Sequence, residues 1–133
     1  MSEKGRATWL GLAAGGVHSL DFLRERTGAF DAVPGSVAAP VVITATLSLW
    51  TLAGLRAADP RSGARAGLLS AAVTTLALWS TMLLSGNVLI GYACWHAAAF
   101  LPFGALCAAL PARCRKGCRP TNARPPGPDR LSA

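Results

Sequence analysis

Charge is scarce in this chain, at 14% of its 133 residues, and it is missing altogether from three long stretches. Val37–Leu55, Ala66–Ser85 and Val88–Leu110 hold no Lys, Arg, Asp or Glu, and a fourth stretch, Ala7–Leu23, is broken only by His18 and Asp21. Each is close to the about 20 helical residues needed to cross the apolar core of a bilayer. Catalytic, nucleotide-binding and metal motifs are also lacking, which leaves no enzyme class indicated. Once four spans are set aside the loops are too short to fold alone, so any site must lie between helices or at their ends.

What is present is apolar: 52% of residues are hydrophobic and the mean hydropathy is +0.39, a composition that belongs to membrane proteins. The expected fold is an all-α, integral membrane four-helix bundle. Its helices are expected at about 7–25, 37–57, 66–85 and 88–110, within one transmembrane domain at 1–112. The remainder, 113–133, is basic and rich in proline, lacks apolar periodicity and is expected to be a disordered tail. Ala7–Val17 is interrupted by glycine and no small-residue cleavage site follows it, so the first span reads as retained and not as a cleaved signal.

A net charge of +7 would point a soluble protein toward nucleic acid. Here its distribution points to a membrane topology and to no nucleic-acid partner. Lys4, Arg6, Arg56, Arg61, Arg65, Arg113, Arg115, Lys116, Arg119, Arg124 and Arg130 fall on one side of alternating spans, and Arg24 and Arg26 on the other. Basic residues are retained on the cytoplasmic side, so both termini are expected there. The basic start of the tail would meet anionic lipid headgroups. High Ala, Gly, Leu and Arg usage is that of a GC-rich bacterial genome, which implies the plasma membrane.

Connections follow the same plan. Ala57–Gly63 is a polar turn containing Pro60, and Gly86-Asn87 suits a tight reversal between spans three and four. Pro40 is placed in the first turn of span two, where a missing N–H is harmless, and Pro102 interrupts span four. Small residues recur every four positions at Ala7, Gly11 and Gly15 and at Gly104 and Ala108, spacing that lets helix backbones approach closely, within the bundle or between copies of the chain. Cys94 and Cys107 are too far apart on one helix to bridge, and Cys114 with Cys118 is a weak metal signal without further ligands.

The candidate site is a set of polar residues in the outer half of the bundle. With span one running outward and span four inward, His18 and His96 lie at similar depth, roughly 10–12 Å in from the outer helix ends. Asp21 shares the face of His18 at i+3, and Tyr92 shares that of His96 at i−4. A ligand-binding cluster of His18, Asp21, Tyr92 and His96 follows if spans one and four face each other, with Thr44, Trp79 or Ser80 at comparable depth. Ionisable residues inside a membrane mark functional sites by default, although Asp21 can also pair simply with Arg24 at i+3.

Several chemistries fit such a cluster. Two histidines could ligate a haem or, with Asp21, a divalent metal; a quinone or other lipophilic molecule could exchange protons with Asp21 and His96. Proton-coupled transport through Asp21 is an alternative, as is a non-enzymatic accessory subunit of a membrane complex or a homo-oligomer. In length, span number and an acidic residue in the first helix the chain resembles small multidrug resistance transporters. Their glutamate-containing first-helix motif is absent, however, and Asp21 lies near the outer end of its span.

Overall fold

A computed structural model describes residues 2–28, 33–86 and 90–117, and among them every regular element is a helix. They are α1 (Glu3–Thr27), α2 (Gly35–Gly54), α3 (Pro60–Leu84) and α4 (Ile90–Gly117). The all-α, four-helix reading holds, while the boundaries move for local reasons. Ser2 caps α1 by accepting from the Gly5 N–H at 3.1 Å, which starts the helix before residue 7. It ends where Gly28 takes φ 67° and donates its N–H to the Arg24 carbonyl at 3.0 Å.

The start of α3 shifts by six residues from its expected place. Asp59 accepts from the Arg61 and Ser62 N–H groups at 2.8 and 2.9 Å, and the Asp59 N–H donates back to Ser62 Oγ at 3.3 Å. With Pro60 as first helical residue this is a capping box, so Pro60 opens a helix instead of stopping one. Pro40 lies deeper than expected because α2 already begins at Gly35, and α4 continues through Pro102 and Pro111 to Gly117, beyond the expected end at 110. Arg113 and Arg115 therefore belong to a helix and not to the tail; residues 118–133, and with them Cys118 and the rest of the expected disordered tail, lie outside the described residues. Cys94, Cys107 and Cys114 are free thiols.

Four alternating helices place the start of α1, the end of α2, the start of α3 and the end of α4 together. Arg6 Nη2 at the start of α1 donates to the Ala53 carbonyl at the end of α2 at 3.0 Å, and a Cβ on Gly63 would come within 2.6 Å of the Ala108 carbonyl oxygen. Around the bundle the order is α1, α3, α4, α2. α1 packs on α2 and α3, α4 packs on the same two, and α1 and α4 make no close backbone approach. The expectation that spans one and four are neighbours is thus corrected: they stand diagonally.

The reason is which faces carry the small residues. Ala7, Gly11, Ala14 and Gly15 are all buried, and a Cβ added to Gly11 or Gly15 would lie 2.5 Å from Ser70 O or from Ala77 Cβ on α3. On the far side of α3, a Cβ on Gly67 would collide with the Gly104 carbonyl of α4, and one on Gly54 of α2 with the Ala108 carbonyl. Both small-residue stripes are therefore used inside the bundle, where close backbone approach supplies dispersion attraction.

The interior is accordingly made mostly of Ala, Gly, Ser and Thr, with Trp50, Leu78 and Met82 its large buried side chains among the described residues. Large apolar residues point outward instead: Trp95 is 70% exposed and Leu84 89%. Helices α2, α3 and α4 are long and apolar enough to cross a membrane. α1 is not, because His18, Asp21 and its charged ends dilute an otherwise apolar helix; the expectation of four spans is reduced to three by this measure.

Candidate functional site: a groove beside His18

α2 turns Ile43, Thr46, Leu47 and Trp50 to one side, a spacing of i, i+3, i+4 and i+7 that forms a continuous face. α4 contributes Ala99, Phe100 and Phe103, α1 contributes His18, and together they line a groove of about 210 Å³. Ile43 and Phe103 are 55% and 58% exposed, so the groove opens sideways on the outer surface of the bundle and not at its end.

The surface of the groove is apolar throughout, and its polar groups lie behind that surface. His18 Nε2 and Thr46 Oγ1 are 3.0 Å apart, and the tautomer decides which of them donates. His18 Nδ1 makes no hydrogen bond among the described residues. Behind this wall Trp50 Nε1 donates to Thr74 Oγ1 at 3.3 Å, and the Thr74 hydroxyl shares its proton between Ser70 O at 2.9 Å and Gly11 O at 3.1 Å. That chain ties α2, α3 and α1 together and leaves the indole and hydroxyl satisfied away from water.

Phe100 is the hub. Its ring lies 4.9 Å from the His18 ring, 5.3 Å from Trp50 in an edge-on contact and 5.0 Å from His96. Tyr92 stacks on His96 at 4.0 Å, and His96 Nδ1 is 3.0 Å from the Tyr92 carbonyl one turn earlier. Of the four residues expected to share a pocket, the structure thus connects His18 to His96 and Tyr92 through Phe100, across the diagonal of the bundle. Only His18 lines the groove.

Asp21 is placed differently. Its carboxylate accepts from Arg24 Nε at 3.1 Å, while Arg24 Nη1 donates to the Val33 carbonyl at 2.9 Å. No hydrogen bond joins Asp21 to His18, Tyr92 or His96 among the described residues. Asp21→Asn is expected to lower the unfolding free energy by about 1 kcal/mol, the scale of a pair near the surface, as measured by detergent unfolding of both proteins.

Thr44 is exposed, and it is Thr46 that reaches His18. Ser80 donates to its own helix at Leu76 O, and Trp79 Nε1 is buried without a hydrogen-bond partner among the described residues. Thr46, Trp50, Phe100 and Phe103 do not stand out in the sequence as site residues. The signal that carries Phe100 is its place at i+4 from His96, on the Tyr92 and His96 stripe.

A haem held by both histidines does not fit this arrangement, because Phe100 packs against both imidazoles and His96 does not border the groove. No group of three His, Cys, Asp or Glu able to hold a metal ion occurs among the described residues. The groove is smaller than the roughly 300–1,000 Å³ of pockets that enclose a whole small molecule. It suits one ring or head group whose remainder lies outside it.

The chain matches no family model, no curated protein and no solved structure. The class it defines is set by its own features: a four-helix, all-α protein with three helices apolar enough to span a membrane.

Proposed function

We propose that this is a multi-pass membrane protein with both termini in the cytoplasm, in which α1, though less apolar than the other three helices, crosses with them through its packing on α2 and α3, and which binds a lipophilic small molecule through the groove beside His18. The carrying observation is the sideways-open groove with an apolar surface, with Ile43, Leu47 and Phe103 at its rim and His18 paired to Thr46 behind it. A molecule dissolved in the bilayer reaches such a groove without leaving the hydrocarbon. A membrane setting is supported by the inverted distribution of side chains, small and hydroxylated inside and large and apolar outside, since a soluble protein rarely leaves so wide an apolar surface open. Orientation is supported by the clustering of Lys4, Arg6, Arg56, Arg61, Arg65, Arg113 and Arg115 at one end, against Arg24 and Arg26 at the other.

The ligand class that matches the wall is a flat ring with a hydrogen-bonding oxygen, of which a quinone is the simplest. Its ring would lie against Phe100, its alkyl chain would run along the rim, and its oxygen would replace Thr46 as the partner of the His18 imidazole once that ring turns toward the groove. Histidine is also the side chain suited to giving or taking a proton near neutral pH.

A variant in which Trp9, Trp79 and Trp95 are replaced by Phe reports on Trp50 alone. Titration of that protein with decylubiquinone is expected to give saturable quenching. Ala99→Phe, which fills the groove, should abolish the saturable part, and His18→Ala should weaken it about fivefold, the worth of one hydrogen bond. Quenching that never saturates, or that persists unchanged in Ala99→Phe, would refute the reading.

A further inference from the structure

At the opposite, arginine-rich end of the bundle, the basic residues divide into two groups. Arg6 Nη2 donates to Ala53 O at 3.0 Å and Arg115 Nη2 to Ala57 O at 3.2 Å. Both carbonyls lie at or just beyond the C-terminus of α2, where the helix dipole favours a cation. Arg61, Arg65 and Arg113 have no such partner: among the described residues their guanidinium groups make neither a hydrogen bond nor an ion pair. They border, with Ser62, a second cavity of about 680 Å³ between the α2–α3 connection and the last turns of α4.

Their placement is unfavourable in the protein alone. Arg61 and Arg65 are i, i+4 neighbours of like charge in the first two turns of α3, where the positive end of the dipole also repels them. Arg113 brings a third positive charge from α4. Asp59, which also borders the cavity, already accepts from the Arg61 and Ser62 backbone N–H groups. An anion in the cavity would relieve all three repulsions at once, and a phosphate presents the several oxygens that guanidinium forks engage in pairs.

We infer that Arg61, Arg65 and Arg113 form a binding site for a phosphate group, carried by an anionic phospholipid. The inference rests on the membrane-spanning reading, which places this end of the bundle at the level of lipid headgroups. The lipid phosphate enters between α3 and α4 while its acyl chains lie along their apolar outer faces. It differs from general attraction to a basic tail in naming which arginines act.

Native mass spectrometry of the full-length protein in detergent tests it, with dioleoylphosphatidylglycerol, dioleoylphosphatidylcholine and inorganic phosphate as probes. Wild type is expected to retain the anionic lipid about tenfold more tightly than the zwitterionic one. Arg65→Gln should remove most of that preference, and Arg65→Lys should remove part of it by keeping the charge and losing the fork. Arg56→Gln is the control: it deletes the same charge from the same end of the bundle at an exposed residue outside the cavity, and should change retention less than twofold. Equal losses in Arg56→Gln and Arg65→Gln, or equal retention of the two lipids, would overturn the site in favour of unspecific charge attraction. Displacement of the lipid by excess inorganic phosphate would overturn the lipid as source and leave free phosphate as occupant. Failure of the spanning reading shows separately, as a chain recovered from lysed cells without detergent; lost lipid preference in a chain that does need detergent counts against the site alone.

Discussion

Gly67→Ala is expected to separate α3 from α4 and to cost about 3 kcal/mol, the upper end of ordinary overpacking. The added methyl would collide with the Gly104 carbonyl and come within 2.6 Å of Ala108 Cβ, and backbone cannot swing aside as a long side chain can. Helices that associate in lipid gain nothing from exclusion of water, so the dispersion attraction forfeited when two backbones are pushed apart has no substitute. Gly16→Ala provides the contrast. Nothing lies within 4 Å of a Cβ at Gly16, so this variant should be neutral or up to about 1 kcal/mol more stable, because alanine is the better helix former. Unfolding by SDS titration in mixed micelles, followed by helical circular dichroism, compares both with wild type. Equal behaviour of the two variants would mean that close packing of α3 on α4 does not hold the bundle together.

Trp50→Ala is expected to be still more damaging, at about 3–5 kcal/mol. Trp50 is 2% exposed, fills the space between α2, α3 and α4, and packs its edge on Phe100. Phe100 is held in place by its contacts with His18 and His96 and does not fill the hole by itself. The loss is one of packing more than of hydrogen bonding, since the Thr74 hydroxyl keeps its acceptors Ser70 O and Gly11 O without the indole. Thr74→Val reverses that balance: the volume is kept and Trp50 Nε1 is left without an acceptor, which should cost about 1–3 kcal/mol. Equilibrium unfolding in detergent ranks the two, and a Trp50→Ala protein as stable as Thr74→Val would show that the indole is not the core of this fold.

The two helices that carry the histidines show where reading the chain succeeds and where it stops. Depth along a helix follows from counting at a fixed rise per residue, and counting alone sets His18 and His96 at comparable levels. Their rings do both meet Phe100. Counting along each helix says nothing of its neighbours, and α1 and α4 are diagonal. Thr44 and Thr46 differ by two residues, or about 200° around the helix, so the exposed and the His18-bound threonine are indistinguishable by depth alone. Asp21 and Arg24 stand the other way: their pairing is local, at i+3, and is legible from spacing.

Charge-free length determined the helices, and the positions of proline, glycine and capping residues marked most of their ends, because these depend on residues within a turn or two of one another. The basic residues likewise determined which helix ends belong together. Tertiary structure alone decided the order α1, α3, α4, α2, and with it that Phe100 and Thr46 stand beside His18. That order is set by which glycines let which backbones touch: Gly11 and Gly15 against α3, Gly67 against Gly104, Gly54 against Ala108. Each of these approaches joins residues far apart in the chain, and several small-residue stripes of nearly equal size compete for every partner. The winning set is fixed only when all four helices pack at once.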